Sequence, residues 1–100
     1  MRIVSQSRLR DFADRHPETE AGLALWLAVA RKATWTGMND VQARWPKSKV
    51  LNGERVRFEI AGGNYRLIVA IQFHAQIIWV KFIGTHAQYD RINPFTVDQF

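Results

Sequence analysis

The hydrophobic period of this chain changes once, at Arg55, and that change limits the fold to helices first and a sheet after. Before Arg55 the apolar residues recur at helical spacing. Leu9, Phe12 and Ala13 form one stripe, and Leu23, Trp26, Leu27 and Ala30 form a second. From Arg55 onward the period is two: Val56, Phe58 and Ile60 alternate with Arg55, Arg57 and Glu59, as in a half-buried strand. Gly62-Gly63 is a hairpin-turn signal. Tyr65 to Phe73 and Ile77 to Ile83 read as two further strands joined through His74-Ala75-Gln76. The expectation is one α+β domain spanning residues 1–100, with its helices on one face of a twisted, mainly antiparallel sheet.

Local signals set the expected boundaries. Arg2 to Val4 is a short β-type segment that can add an edge strand. Ser5 is placed to cap a helix over Gln6 to Arg15. Pro17 suits the first turn of a second helix, whose acidic start (Glu18, Glu20) and basic end (Arg31, Lys32) complement the helix dipole. Asn39 is expected to cap a short third helix, Asp40 to Trp45, which Pro46 ends. Lys47 to Asn52 reads as a polar connection, and the tryptophans read as core or rim packing.

If Gly62 and Gly63 are the two loop residues, Glu59 lies opposite Arg66 and Arg57 opposite Ile68. Arg55, Arg57, Glu59 and Arg66 then share one face, and Val56, Phe58, Ile60, Leu67 and Val69 share the face that the helices cover. A third neighbouring strand carries Gly84 close to Arg66. The same register puts Lys81 opposite Val69, on the covered face.

A surplus of 14 Lys plus Arg over 9 Asp plus Glu, net +5, favours polyanions such as RNA, DNA or anionic lipid. The absence of cysteine excludes disulfides, thiolate nucleophiles and cysteine zinc sites. The longest apolar run, Ala21 to Ala30, falls well short of the ~20 residues a membrane span needs. No apolar signal core follows Met1, so the expected location is the cytoplasm, without membrane contact.

Two local patterns carry candidate chemistry: Gly62-Gly63-Asn64-Tyr65-Arg66, and Thr85-His86-Ala87-Gln88-Tyr89-Asp90 directly after the third strand. The pairing above brings His86 and Tyr89 to the end of the sheet that holds Arg66 and Arg57, around one small concavity. Such a set suits RNA cleavage without a metal. Histidine can serve as base or acid near neutral pH, and arginine binds phosphate oxygens through two N–H groups. Tyrosine stacks on a base or donates a hydrogen bond. His16, His74 and His86 follow no metal-ligand spacing, and no cofactor motif is present. Each part also has a plainer reading: Gly-Gly-Asn as a turn, Glu59–Arg66 as a cross-strand ion pair, His86 as the cap of a last helical turn.

Taken together, Phe58, Gly62-Gly63-Asn64, Arg66, the apolar strand Leu67 to Phe73, Thr85-His86 and Tyr89-Asp90 resemble the HigB family of toxin–antitoxin toxins, a branch of the RelE-like superfamily. The N-terminal half agrees more loosely, through its opening strand, its two helices and Trp45-Pro46. The resemblance implies a RelE-like fold and endonucleolytic cleavage of mRNA in the ribosomal A site. It also implies a HigA-like helix-turn-helix antitoxin, through which alone the complex would contact DNA. Among the site residues it implies Arg66 near the scissile phosphate, His86 as the later basic residue and Tyr89 as the C-terminal tyrosine, with Asp90 beside them. Arg55 and Arg57 resemble the basic pair on the preceding strand, and Asn64 and Lys81 complete the expected RNA contacts. This chain carries fewer lysines on that face than many relatives. The competing readings are a non-catalytic RNA or ribosome binder and a basic subunit of a transcription-regulatory complex; Gly37 and the short third helix fit a helix-turn-helix poorly.

Overall fold

The computed structural model describes residues 1–100, and helix gives way to sheet where the period changes. The order is β1 (Arg2–Val4), α1 (Gln6–Arg15), a 3-10 turn (Pro17–Thr19), α2 (Glu20–Lys32), α3 (Met38–Arg44), β2 (Lys49–Val50), β3 (Arg55–Ile60), β4 (Tyr65–Gln72), β5 (Ile77–Thr85) and α4 (His86–Tyr89). The five strands form one open sheet, β1-β5-β4-β3-β2. Only the β1–β5 pair is parallel. No helix is long and apolar enough to cross a membrane.

The two predicted helical stripes are buried apart from half-buried Ala13, with Leu9, Trp26 and Ala30 fully so. They pack with Val56, Phe58, Ile60, Leu67, Val69, Ile71, Ile78, Val80 and Ile83 into one core on one face of the sheet. Trp26 meets Phe58 edge-to-face, ring centroids 5.4 Å apart, a geometry that adds to simple area burial.

Several boundaries differ from expectation. Ser5 does precede α1, but in the left-handed region (φ 69) and with no side-chain cap bond. The second helix starts as a 3-10 turn, where the Thr19 hydroxyl donates to the His16 carbonyl at 2.7 Å. Asn39 is not a cap: Gly37 holds that position and Asn39 lies inside α3. The carboxylate of Asp40 supplies the local anchor instead, accepting from the Thr36 N–H at 2.9 Å and the Thr36 hydroxyl at 3.0 Å. Within the supposed connection, Lys49–Val50 is an edge strand paired with Arg57 and Val56. β4 ends at Gln72 instead of Phe73, and β5 runs on to Thr85.

The hairpin loop is four residues, Ala61 to Asn64, not two. Ala61, Gly62 and Gly63 all have positive φ, which glycine tolerates and most residues do not. Because the loop is centred on the same two glycines, the register is the expected one, with Glu59 opposite Arg66 and Arg57 opposite Ile68. Beyond it the β4–β5 ladder shifts at Ile68/Val69: Ile68 pairs with Phe82 but Val69 with Val80. Lys81 is therefore the extra residue of a bulge and does not lie opposite Val69 on the covered face. The bulge restores face parity, so Ile83 joins the core while Phe82 turns to the other side.

The face opposite the helices is not fully open. Ile68 and Phe82 are buried there, outside the main core. The C-terminal segment crosses this face: Gln99 N–H donates to the Lys81 carbonyl and Gln99 Oε1 accepts from Ile83 N–H, both at 2.9 Å. These bonds satisfy the outer edge of β5 beyond the point where β1 ends at Val4, which pairs with Trp79.

Candidate active site

Three strands deliver the candidate residues to one end of the face opposite the helices. Arg66 on β4 lies between Glu59 on β3 and Gly84 on β5. Its Nη1 donates to the Gly63 carbonyl and sits 3.8 Å from Glu59 Oε1. Arg66 is 8% exposed, and its Nε has no partner. Gly63 is needed here: a Cβ at that position would sit 3.4 Å from Arg66 Nη1, on a backbone with φ +93.

Arg57 projects from the same face one pair further along β3. Its guanidinium carbon lies 5.6 Å from the centre of the Tyr89 ring, within cation–π range. Arg57 makes no ion pair, and its buried Nε has no hydrogen-bond partner. A buried donor without a partner is costly. Two arginines on one face, neither of them fully neutralised by a carboxylate, concentrate positive charge at this end of the sheet.

The second pattern is held by a capping box. Thr85 Oγ1 accepts from Gln88 N–H at 3.1 Å, and Gln88 Oε1 accepts from Thr85 N–H at 2.9 Å. This reciprocal pair turns the chain sharply off β5 into α4. Thr85 is thus the cap and His86 the first helical residue. The His86 N–H donates to the Asn64 carbonyl at 3.0 Å, tying α4 to the β3–β4 turn. His86 Nδ1 is 3.1 Å from Asp90 Oδ2, one helical turn on, and both side chains are more than half exposed. Tyr89 leans on Phe82, ring centroids 6.4 Å apart.

The expected catalytic residues Arg66, His86, Tyr89 and Asp90 therefore gather at one sheet end together with Arg57. They do not enclose a concavity. The nearest cleft, about 470 Å³, lies beside them and is lined by Glu59, Gly62, Gly63 and the Arg44-to-Ser48 turn. Asn64 contributes its carbonyl to α4, and its side chain is exposed.

Arg55 and Lys81 stand apart, engaged by the C-terminal segment. Arg55 Nη1 donates to the carbonyls of Pro94 (3.1 Å) and Val97 (2.8 Å), and Lys81 Nζ lies 3.5 Å from Asp98. The segment's lack of hydrophobic period hid these contacts. Phe82, which supports Tyr89, is likewise unmarked, because β5 is apolar at nearly every position and shows no alternation that would reveal the bulge.

A second titratable cluster lies at the start of β4. The Tyr65 hydroxyl donates to Glu18 Oε1, and the His16 ring stacks on Phe12 with centroids 4.2 Å apart. The hydrogen bond from Tyr65 holds the Glu18 carboxyl below the ordinary carboxylate range, and Glu18 in turn raises the Tyr65 phenol. No group of histidines and carboxylates suited to a metal ion occurs.

Residues 19–92 match a family model described as HigB_toxin, RelE-like toxic component of a toxin–antitoxin system. Curated relatives include the mRNA interferase toxin HigB of Escherichia coli K12 and the mRNA interferase HigB of Shigella flexneri. Each is 24% identical over 93 residues, covering 90% of this chain and 88% of the relative. The mRNA interferase HigB of Escherichia coli O6:H1 is 23% identical over 100 residues, covering 95% and 94%.

Proposed function

Because this chain belongs to the HigB family of RelE-like toxins of toxin–antitoxin systems, we propose that it is a metal-independent endoribonuclease that cleaves mRNA in the ribosomal A site and so arrests translation. The observation that carries the reading is the pair of arginines, Arg57 and Arg66, on the face that also presents Tyr89, with the His86–Asp90 pair at the same end of the sheet. An RNA phosphodiester meets the positive charge of this pair.

In this mechanism the 2′-oxygen forms a bond to the adjacent phosphorus while the bond to the 5′-oxygen breaks. The products are a 2′,3′-cyclic phosphate and a 5′-hydroxyl. A base takes the 2′-hydroxyl proton and an acid returns one to the leaving oxygen. His86 supplies the imidazole for one of these roles, with Asp90 orienting its ring through Nδ1. Arg66 and Arg57 stabilise the extra negative charge of the transition state. Tyr89, held by Phe82 and Arg57, stacks on a base or completes the proton relay. A HigA-like helix-turn-helix antitoxin neutralises the toxin in the cytoplasm, and contact with DNA occurs only through it.

Mapping of transcript 5′ ends by primer extension after induction tests this reading. The parent chain produces new ends within translated codons. Arg66→Ala lowers cleavage by about 30-fold to 1,000-fold, the equivalent of ~2–4 kcal/mol for a transition-state donor. His86→Ala lowers it by about a hundredfold or more. Growth arrest with no new RNA ends would instead identify a non-catalytic ribosome binder.

A further inference from the structure

The cleft beside Arg66 lies between the α3–β2 turn and the β3–β4 turn, and none of the steps above uses it. Arg44 stacks its guanidinium on Trp45, 4.5 Å from the ring centroid, and both line the cleft. Lys47, exposed and free of any ion pair, lies on the same wall. The Trp45 indole Nε1 is buried without an acceptor. The Ser48 hydroxyl donates to the Trp45 carbonyl at 2.6 Å, which pins the turn that carries the indole. On the opposite wall stands Glu59, about one-third exposed, with one carboxylate oxygen 3.8 Å from Arg66.

This lining selects its ligand. Two cations disfavour a metal ion and favour an anion. An indole overlaid by a guanidinium offers a flat, polarised surface that suits a nucleobase. A volume of about 470 Å³ accommodates a base with its sugar and lies within the usual range of small-molecule sites. Glu59 is shared between the cleft and the Arg66 cluster, so an occupant of the cleft lies next to Arg66.

We propose that this cleft is a nucleotide subsite. It receives the base flanking the cleaved phosphodiester against Arg44 and Trp45, with Lys47 balancing the backbone charge. Glu59 accepts a hydrogen bond from an amino group of the base. Guanine, whose ring N–H and amino group point the same way, is the best match, and uracil, which has no amino group, is the worst. Placing the subsite next to the cleaved bond rests on the nuclease reading; the nucleotide chemistry of the cleft does not.

The test is a titration of the isotope-labelled full chain with GMP, UMP and inorganic phosphate, followed by the Trp45 indole and Gly63 amide resonances. GMP should shift both saturably, UMP should bind several-fold more weakly, and phosphate should leave the indole unmoved. Arg44→Ala, at an exposed position that preserves the fold, should weaken GMP binding about fivefold or more, the low end of a stacking contribution. A Trp45 indole unmoved by GMP, moved equally by UMP, or insensitive to Arg44→Ala overturns the subsite. If RNA is cleaved while Trp45 stays silent, the subsite alone falls. If GMP binds at Trp45 but no RNA ends appear in cells, the nuclease reading falls and the nucleotide site stands.

Discussion

Replacing Gly84 by alanine should dislodge the proposed active site without touching any of its functional groups. Gly84 is the β5 residue opposite Arg66 and directly precedes Thr85, where the strand ends and the capping box begins. A Cβ added there would lie 2.6 Å from Phe82 Cζ and 2.7 Å from Gln88 Oε1, distances that real Cβ atoms do not show. Gln88 can swing aside, but its Oε1 then no longer accepts from Thr85 N–H, and losing such a cap costs ~1 kcal/mol. Phe82 has less freedom: it is 4% exposed and carries the Tyr89 ring, so moving it costs ~1–3 kcal/mol of overpacking strain. The expected destabilisation is about 2–4 kcal/mol, which lowers Tm by roughly 10–30 °C in a domain of this size. Thermal unfolding followed by circular dichroism measures it, with Gly53→Ala as control, because a Cβ at Gly53 meets nothing within 4 Å. Cleavage of translated mRNA, assayed below the variant's Tm, should fall as well, since Tyr89 and His86 ride on the displaced turn. A Gly84→Ala chain with the control's Tm and undiminished cleavage would refute both the packing of Phe82 and the role assigned to α4.

Three further outcomes are expected. Arg57→Met removes a half-buried guanidinium whose Nε is unpartnered; Tm should hold or rise while cleavage falls at least about tenfold, the opposition expected where a site sacrifices stability for function. Tyr65→Phe removes the hydrogen bond that depresses Glu18 from its ordinary 4.5 and raises Tyr65 from 10.0. A depressed carboxyl stabilises above its unfolded pKa and a raised phenol below its own, so the parent's advantage over the variant should be full between these limits. It should fade as pH falls below about 4.5 or climbs past about 10 in a denaturation series. Arg55→Ala deletes both bonds to the Pro94 and Val97 carbonyls; limited chymotryptic digestion at Phe95 should then quicken several-fold, and an unchanged rate would show that the segment is held by Lys81 and Gln99 instead.

Glu59, Arg66 and Gly84 line up across three strands as the linear chain implies, because a hairpin centred on two glycines admits one pairing that buries Val56, Phe58 and Ile60 together. Lys81 illustrates the limit of such reasoning. A bulge inserts one residue without a compositional mark strong enough to locate it, and every side chain beyond it changes face. Asn39 fails for a related reason: capping preference is a matter of about 1 kcal/mol, and the Asp40 carboxylate, bonded to Thr36, outweighs it.

Hydrophobic periodicity and the paired glycines, read along the chain, are enough to establish the α+β class, the buried stripes, the β3–β4 register and the gathering of Arg57, Arg66, His86 and Tyr89 at one sheet end. These follow from repeating local patterns that each bury many apolar atoms at once. Which cations remain free for a ligand is set only in three dimensions. Arg55 and Lys81 meet Pro94, Val97 and Asp98 across long stretches of sequence, through single polar contacts that leave no period behind. Arg57 and Arg66 keep unpartnered donors because no acceptor of the folded chain reaches them, a property of the whole arrangement and not of any one segment.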